Sequence, residues 1–314
     1  MKTLSMFIST VVCVCFLSCS KETDAPPFTI EGIAIENYPR VDGSTSTSPL
    51  NIQIACQLLG YKCQWEQALH MNGEWHYASN LPASVFEQIK SSQTHNAFVN
   101  LINDDADLII SARRMSDDEK ALADEAGVTL IEKPIALDAF IFMANTNNRV
   151  NNLSIKQIQN IYTGEIRNWK EVGGKDKTIN PYVRNANSGS QELMETMVMK
   201  DLEIADWPEQ ETDLMVPSMS AVINTLAADE DGIGYTVFYY KQHIMRSSLV
   251  KSLTVNGIVP DKKNISNRKY PLIAEVYLII RSDLDENSMA YKLYELLLTD
   301  AAKPVINASG YIAY

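Results

Sequence analysis

The sequence predicts an α/β protein of two lobes, with mixed, mostly parallel sheets flanked by helices. Three observations predict it. Extended apolar runs alternate with helix-period segments along the chain, the pattern of sheets covered by helices. Polar turns repeatedly join the end of such a run to the start of a helix. Two strongly apolar strands, around residues 138–145 and 271–280, read as crossings between two lobes. At 314 residues the chain is long enough for two ordinary domains with their own cores.

The composition, 46% hydrophobic and 21% charged, belongs to a globular protein and not a disordered one. A formal charge of −12 argues against nucleic acid or anionic membrane surfaces as partners. It also means that an anionic ligand must be held by local geometry. At the start, Lys2 is followed by an apolar core from Leu4 to Phe16 and then Leu17-Ser18-Cys19. That run is too short to span a bilayer and reads as an export signal. A small residue before cysteine at this place resembles a bacterial lipoprotein signal, although Phe16 stands where an aliphatic residue is usual. The expectation is a signal peptide over 1–18, a lipidated Cys19 and a tether over 19–28. No later stretch is long and apolar enough for a membrane helix.

Cys13 and Cys15 would leave with the signal, so Cys56 and Cys63 remain, in a compartment that permits disulfides. A bridge and two buried thiols both fit them. His70, His76, His95 and His243 are too scattered to form a metal site, and no cofactor is expected.

Taken in order, Ile30–Ile35 and Arg40–Val41 read as short extended pieces. The hydroxyl-rich turn Ser44–Ser48 then feeds a helix opened by Pro49 and closed by Gly60. A helix over 83–89 leads through Ser91–Asn96 into another with Ala97, Leu101 and Ile102 on one face. A strand over 107–111 leads through Ala112-Arg113-Arg114-Met115 into the capping box Ser116…Glu119, whose helix ends at Gly127. Leu137–Ala144 is an apolar strand, and Ser154 with Gln157 caps the next helix. An extended run over 179–183 follows, then helix 220–228, a strand over 236–240, a strand from 271 to 280, and two closing helices over 288–298 and 301–307.

The stretch Val183-Arg184-Asn185-Ala186-Asn187-Ser188-Gly189-Ser190-Gln191 carries the most chemistry. A helix start offers unpaired N–H groups and the positive end of the helix dipole. Gly189 lets a ligand approach those groups, Ser188 and Ser190 add hydroxyl donors, and Arg184 supplies a planar, permanently charged fork. Together they describe a socket for a small tetrahedral anion. An ordinary capped helix beside a surface arginine fits the same local residues. The recurrence of polar turns at four helix starts favours the socket, because ligands of α/β sheets collect where strands end and helices begin.

The order of these motifs resembles the PstS-like periplasmic phosphate-binding proteins, the substrate-binding lipoproteins of phosphate ABC importers. The resemblance runs from about Ile30 to Tyr311. It rests on Leu137-Asp138-Ala139-Phe140…Asn145, Ile161-Tyr162-Thr163-Gly164-Glu165-Ile166-Arg167-Asn168-Trp169, Arg184…Ser188-Gly189-Ser190, Gly232-Ile233-Gly234-Tyr235, Tyr270-Pro271-Leu272 and Gly310-Tyr311. It implies a two-lobed, hinge-closing fold of the type II periplasmic-binding class, with lobe 1 over 29–140 plus 273–314 and lobe 2 over 141–272. It further implies an extracytoplasmic, monomeric, non-enzymatic protein that binds inorganic phosphate and hands it to an ABC permease while lipid-anchored to a membrane.

By the same resemblance, Ser44, Thr45 and Ser46 fall in the first ligand loop and Thr94 and His95 in the second. Ser111 opens the third, with Arg113 as a second cationic ligand or a surface partner of Asp117. Arg184, Ser188, Gly189 and Ser190 form the fourth. One position departs: Ala112 stands where many relatives carry an acid that accepts the proton of hydrogen phosphate. Asp138, Asp42 or a neutral His95 is the available substitute, and sulfate, molybdate or tungstate becomes an alternative ligand. A surface sensor or adhesion protein on the same fold is a further alternative. A secreted hydrolase is disfavoured, since no Gly-x-Ser-x-Gly elbow and no metal-spaced His-Glu pair is present.

Overall fold

The computed structural model describes residues 27–67, 75–205 and 214–314. The expected signal, Cys19 and most of the tether lie outside the described residues, as do His70 and Trp207.

The first half of the chain builds β1 (Val41–Gly43), α1 (Ser48–Leu59), the antiparallel pair β2 (Cys63–Gln67) and β3 (Trp75–Ser79), α2 (Ala83–Gln88), α3 (Thr94–Ile102), β4 (Leu108–Ser111) and α4 (Asp117–Ala126). The 16-residue strand β5 (Leu130–Asn145) follows. Next come β6 (Asn152–Leu153), α5 (Ile155–Tyr162), β7 (Asn180–Pro181), β8 (Val183–Arg184) and α6 (Gly189–Leu193), which widens into a π-type turn over Met194–Met199. Then β9 (Met215–Val216), α7 (Met219–Ala228), β10 (Gly232–Val237), β11 (Val250–Ser252), β12 (Thr254–Val255) and α8 (Lys262–Ser266) precede β13 (Ile273–Arg281), α9 (Met289–Leu297), α10 (Ala302–Ser309) and β14 (Ile312–Ala313).

The main sheet has the order β1-β4-β13-β5-β10-β7, with β11 and β14 also on β5. It is mixed: β1–β4 and β10–β7 are parallel, while β13 and β10 run antiparallel to β5. β5 changes partners along its length. Leu130–Ala139 pairs with β13, and Phe140–Ala144 pairs with β10.

The side chains separate accordingly. One core gathers Phe140, Phe142, Tyr162, Trp169 and Tyr235. Another gathers Leu50, Ile54, Leu108, Ile110, Leu278, Leu293 and Ile306, and a small third one holds Phe98, Leu101, Ile109 and Ile279. Successive residues of a strand point to opposite faces, so Leu108 and Ile110 meet α1, α9 and α10 on one face while Ile109 meets α3 on the other. Helices on both faces of the sheet are the α/β arrangement expected.

Several boundaries differ from the sequence expectation, each for a local reason. Ile30–Ile35 is not a strand, because Gly32 takes φ +77 and turns the chain into a short 3₁₀ segment at Ile35–Asn37. β5 begins at Leu130, seven residues before the apolar run. Lys133 and Pro134 break the hydrophobic pattern, and the pairing absorbs Pro134 at a register shift between Val276 and Tyr277. The run expected over 236–240 ends at Val237, because the Tyr239 N–H is taken by Asp138 Oδ1 at 2.9 Å and the chain coils over Tyr240–Ile244. Cys56 and Cys63 form a disulfide with Cα atoms 6.2 Å apart, which settles the open alternative.

Candidate anion-binding site

Two arginines are buried among the described residues, and their partners separate their roles. Arg113, 5% exposed, is held at both ends of its fork by Glu119, at 2.7 and 2.8 Å. Burial pushes the Glu119 carboxyl up, but Arg113, the Ser116 amide and His95 outweigh it and hold the group below its ordinary range. Arg184, 7% exposed, has no carboxylate partner among the described residues. Its Nε donates to the Val216 carbonyl at 3.0 Å and one terminal nitrogen to the Pro217 carbonyl at 3.4 Å. Burial lowers its pKa, the expected response of a cation removed from water without a counter-charge.

The Arg184 side chain lines a cavity of about 180 Å³. That is below the roughly 300 Å³ at which pockets for drug-sized ligands begin, so the space suits a small ion. Helix starts surround it. Ser44, Thr45 and Ser46 lead into α1, Gln93 and Thr94 open α3, Ser188, Gly189 and Ser190 open α6, and Ser218, Met219 and Ser220 open α7. First-turn N–H groups have no acceptor within their own helix and present the positive end of its dipole. Hydroxyls fill the gaps between them.

The hydroxyls are held in place by one another and by backbone. Ser44 Oγ lies 2.9 Å from Thr94 Oγ1 and accepts the Ala112 N–H at 2.9 Å. Tyr311 donates to the Ser46 carbonyl at 3.0 Å, fixing the first loop from behind. Ser188 Oγ accepts the Gln191 N–H at 3.1 Å, one half of a capping box. The Gln191 side chain does not return to Ser188. It accepts from the Arg184 N–H and from Tyr235, bracing the arginine strand against the helix. Ser218 Oγ accepts the Ala221 N–H at 3.1 Å and sits 3.0 Å from Ser220 Oγ. Gln93 stands at φ +72, ψ 164, a conformation that costs a non-glycine residue about 1–3 kcal/mol. That turn delivers Thr94 to the cavity wall.

Eight of the residues expected in the site line this cavity: Ser44, Thr45, Ser46, Thr94, Arg184, Ser188, Gly189 and Ser190. Four do not. His95 turns away and places Nδ1 3.1 Å from Glu119. Ser111 donates to the Arg113 carbonyl at 2.7 Å, closing its own turn. Arg113 is held by Glu119 outside this cavity's lining, and it is buried, not a surface partner of Asp117. Asp138 lies in β5, where Oδ1 takes the Ala139 and Tyr239 N–H groups. Burial pushes its pKa up to about 7.

The turn 112–116 therefore contributes only Ala112. In the cavity wall its expected place as the third turn is taken by Pro217–Ser220, which the sequence did not single out. The signal was present: Ser218 and Ser220 stand at the start of an apolar helix, as the other lining serines do. Among the described residues no group of three His, Cys, Asp or Glu is placed to hold a metal ion.

A family model described as a PBP superfamily domain matches residues 65–303. The phosphate-binding protein PstS of Staphylococcus epidermidis is 28% identical over 235 residues, 72% of this chain and 70% of that protein. Among solved structures, one from Clostridium perfringens is described as a phosphate ABC transporter substrate-binding protein with bound phosphate. It superposes with a TM-score of 0.63 at 20% identity, covering 87% of this chain and 98% of that one. An ABC-type phosphate transport receptor from Vibrio cholerae gives 0.59 at 23% identity, covering 87% and 98%. These two structural likenesses speak for the fold.

Proposed function

This chain belongs to the PBP superfamily, and from that premise we propose that it captures inorganic phosphate, or a close tetrahedral oxyanion, between two lobes. Lobe 1 comprises 29–140 with 273–314 and lobe 2 comprises 141–272. They meet where β5 changes partners. The carrying observation is the buried Arg184, which faces a hydroxyl-lined cavity without a carboxylate among the described residues. An unpaired buried cation is costly, and an anion seated beside it removes that cost.

Hydrogen bonds to charged groups contribute roughly 1.5–3 kcal/mol each. Several of them, less the cost of association, reach the roughly −8 kcal/mol of a micromolar complex. The cavity walls come from both sides of the β5 crossover, so a bound ion touches both lobes and favours the closed arrangement. In this reading the protein is a binder and not an enzyme. It works as an extracytoplasmic monomer tethered through a lipid on Cys19, and it delivers its ion to an ABC permease. No helix among the described residues is long and apolar enough to cross a membrane.

Calorimetric titration of the mature protein with phosphate tests the reading. Saturable binding that disappears in Arg184→Ala is expected. Absence of any response to phosphate, sulfate, molybdate and tungstate would overturn it.

A further inference from the structure

We infer that a second cavity, at the change-over of β5 and distinct from the anion cavity, is a ligand site for a small organic cation, an ammonium group on an apolar body. The space measures about 500 Å³, inside the roughly 300–1,000 Å³ range of small-molecule pockets. Val237 and Tyr240 line the anion cavity, whereas Phe238 and Tyr239 between them line this one. Among the described residues the two cavities share no lining residue.

Much of the wall is apolar. Leu137, Tyr311 and Ile312 contribute to it, as do Phe238, Tyr239 and Pro260. Tyr239 and Tyr311 stack with ring centroids 3.7 Å apart and planes 3° apart, and the His243 ring lies 4.9 Å from that of Tyr239. Burial, with Arg246 and Lys262 nearby, pushes the His243 pKa down to about 4. The imidazole is therefore neutral at ordinary pH, and these rings give the body of a ligand an uncharged surface to pack against.

Asp138 supplies the charge. It lines the cavity and is 2% exposed, and its Oδ1 accepts the Ala139 and Tyr239 N–H groups. Its Oδ2 has no hydrogen-bond partner among the described residues. A buried acceptor left without a donor carries its full desolvation cost. A cationic donor offsets that cost through a charge-assisted hydrogen bond. Two other side-chain acceptors of the wall are already occupied. Asp261 Oδ1 accepts the Asn264 N–H and its Oδ2 the Asn264 side chain, while Asn307 Oδ1 accepts the Ala313 N–H. Against the carboxyl groups of Asp138 and Asp261 the described wall sets the ammonium of Lys262, which is exposed. The formal charge of −12 over the whole chain likewise favours a cation over an anion.

The test is a calorimetric titration of the protein at pH 8, above the value of about 7 to which burial raises Asp138. The probes are phenethylamine, its uncharged analogue phenethyl alcohol and the anion phenylacetate, all in phosphate buffer so that the anion cavity is occupied. Saturable binding of the amine with a Kd of about 1 mM or tighter is expected, with the alcohol at least tenfold weaker and the anion weaker still. Asp138→Asn, which keeps the accepting oxygen and removes the charge, is expected to bring the amine to within a few-fold of the alcohol. Gln242→Trp, a change at an exposed lining residue, is expected to narrow the cavity and weaken amine and alcohol alike. The inference is overturned if the amine does not bind saturably or if the alcohol or the anion binds as well as the amine. An amine affinity unchanged in either folded variant overturns it too.

Discussion

Gly189 and Thr94, which both line the cavity, pack so close together that a β-carbon on Gly189 would stand 2.5 Å from Thr94 Oγ1. Real β-carbons do not approach an oxygen so closely. The glycine is therefore what lets the start of α6 meet the start of α3. Gly189→Ala must push these walls apart or turn Thr94 out of place. We expect at least a tenfold loss of phosphate affinity, about 1.4 kcal/mol, with the unliganded melting temperature nearly unchanged. Calorimetry beside thermal unfolding separates the two effects, and an unchanged affinity would mean that the ligand does not need this contact.

Arg184 is expected to matter for binding and little for folding. Truncating one member of a buried, hydrogen-bonded charge pair costs about 2–5 kcal/mol of affinity, so Arg184→Ala should weaken phosphate by thirtyfold or more. Without ligand, the same change removes a buried cation that no carboxylate among the described residues compensates. The apo variant should therefore unfold at a temperature equal to or above that of the wild type. A large drop in apo stability would contradict the reading of Arg184 as a ligand-facing group.

The opposite split is expected at Arg113 and Glu119. Removing one partner of a buried ion pair strands the other, at about 3–5 kcal/mol. Arg113→Met or Glu119→Gln should lower the denaturant midpoint clearly, while the dissociation constant of the folded fraction stays within a few-fold. If Arg113→Met abolished binding in a folded protein, Arg113 would be a ligand after all.

Asp138 makes stability depend on pH. Its pKa is raised by burial from 3.8 to about 7. Between those values the folded protein keeps a proton that the unfolded chain releases, so the contribution is full below pH 4 and is lost as pH rises through 7. The span corresponds to roughly 4 kcal/mol. Asp138→Asn keeps the oxygen that accepts the Ala139 and Tyr239 N–H groups and cannot ionise. The variant's excess over the wild type in urea unfolding should be much larger at pH 7.5 than at pH 4.5. Equal differences at the two pH values would show that Asp138 does not titrate in this way.

Gln93 offers a smaller test. Its φ of +72 with ψ of 164 is a region open chiefly to glycine. Gln93→Gly should stabilise the fold by about 1 kcal/mol in denaturant titration. A destabilised variant would mean that the Gln93 side chain contributes more than the strain it carries.

Much of this was legible in the chain. Ser116 and Glu119, Ser154 and Gln157, and Gly127 mark helix ends through hydrogen bonds made within four residues, and the structure makes those bonds. The cavity-lining turns at 44–46, at Thr94 and at 184–190 are likewise local strings that end on a helix start. What was not legible depended on how turns fold onto neighbouring elements, whether near or distant in the chain. His95, Ser111 and Arg113 sit in polar turns that look like the others, yet Glu119 and the Arg113 carbonyl draw them away. Pro134 concealed the first half of β5, because the strand that pairs with it there, β13, lies more than a hundred residues on, with Ile135 left over as the extra residue of the bulge.

The sequence by itself determined the alternation of strands and helices, the capped helix starts and the presence of an arginine beside a serine-glycine-serine turn, since all of these are set by neighbours along the chain. Only the tertiary structure decided which of two buried arginines is left without a carboxylate. Burial and pairing depend on which side chains arrive from elsewhere: Glu119 reaches Arg113, and among the described residues no carboxylate reaches Arg184.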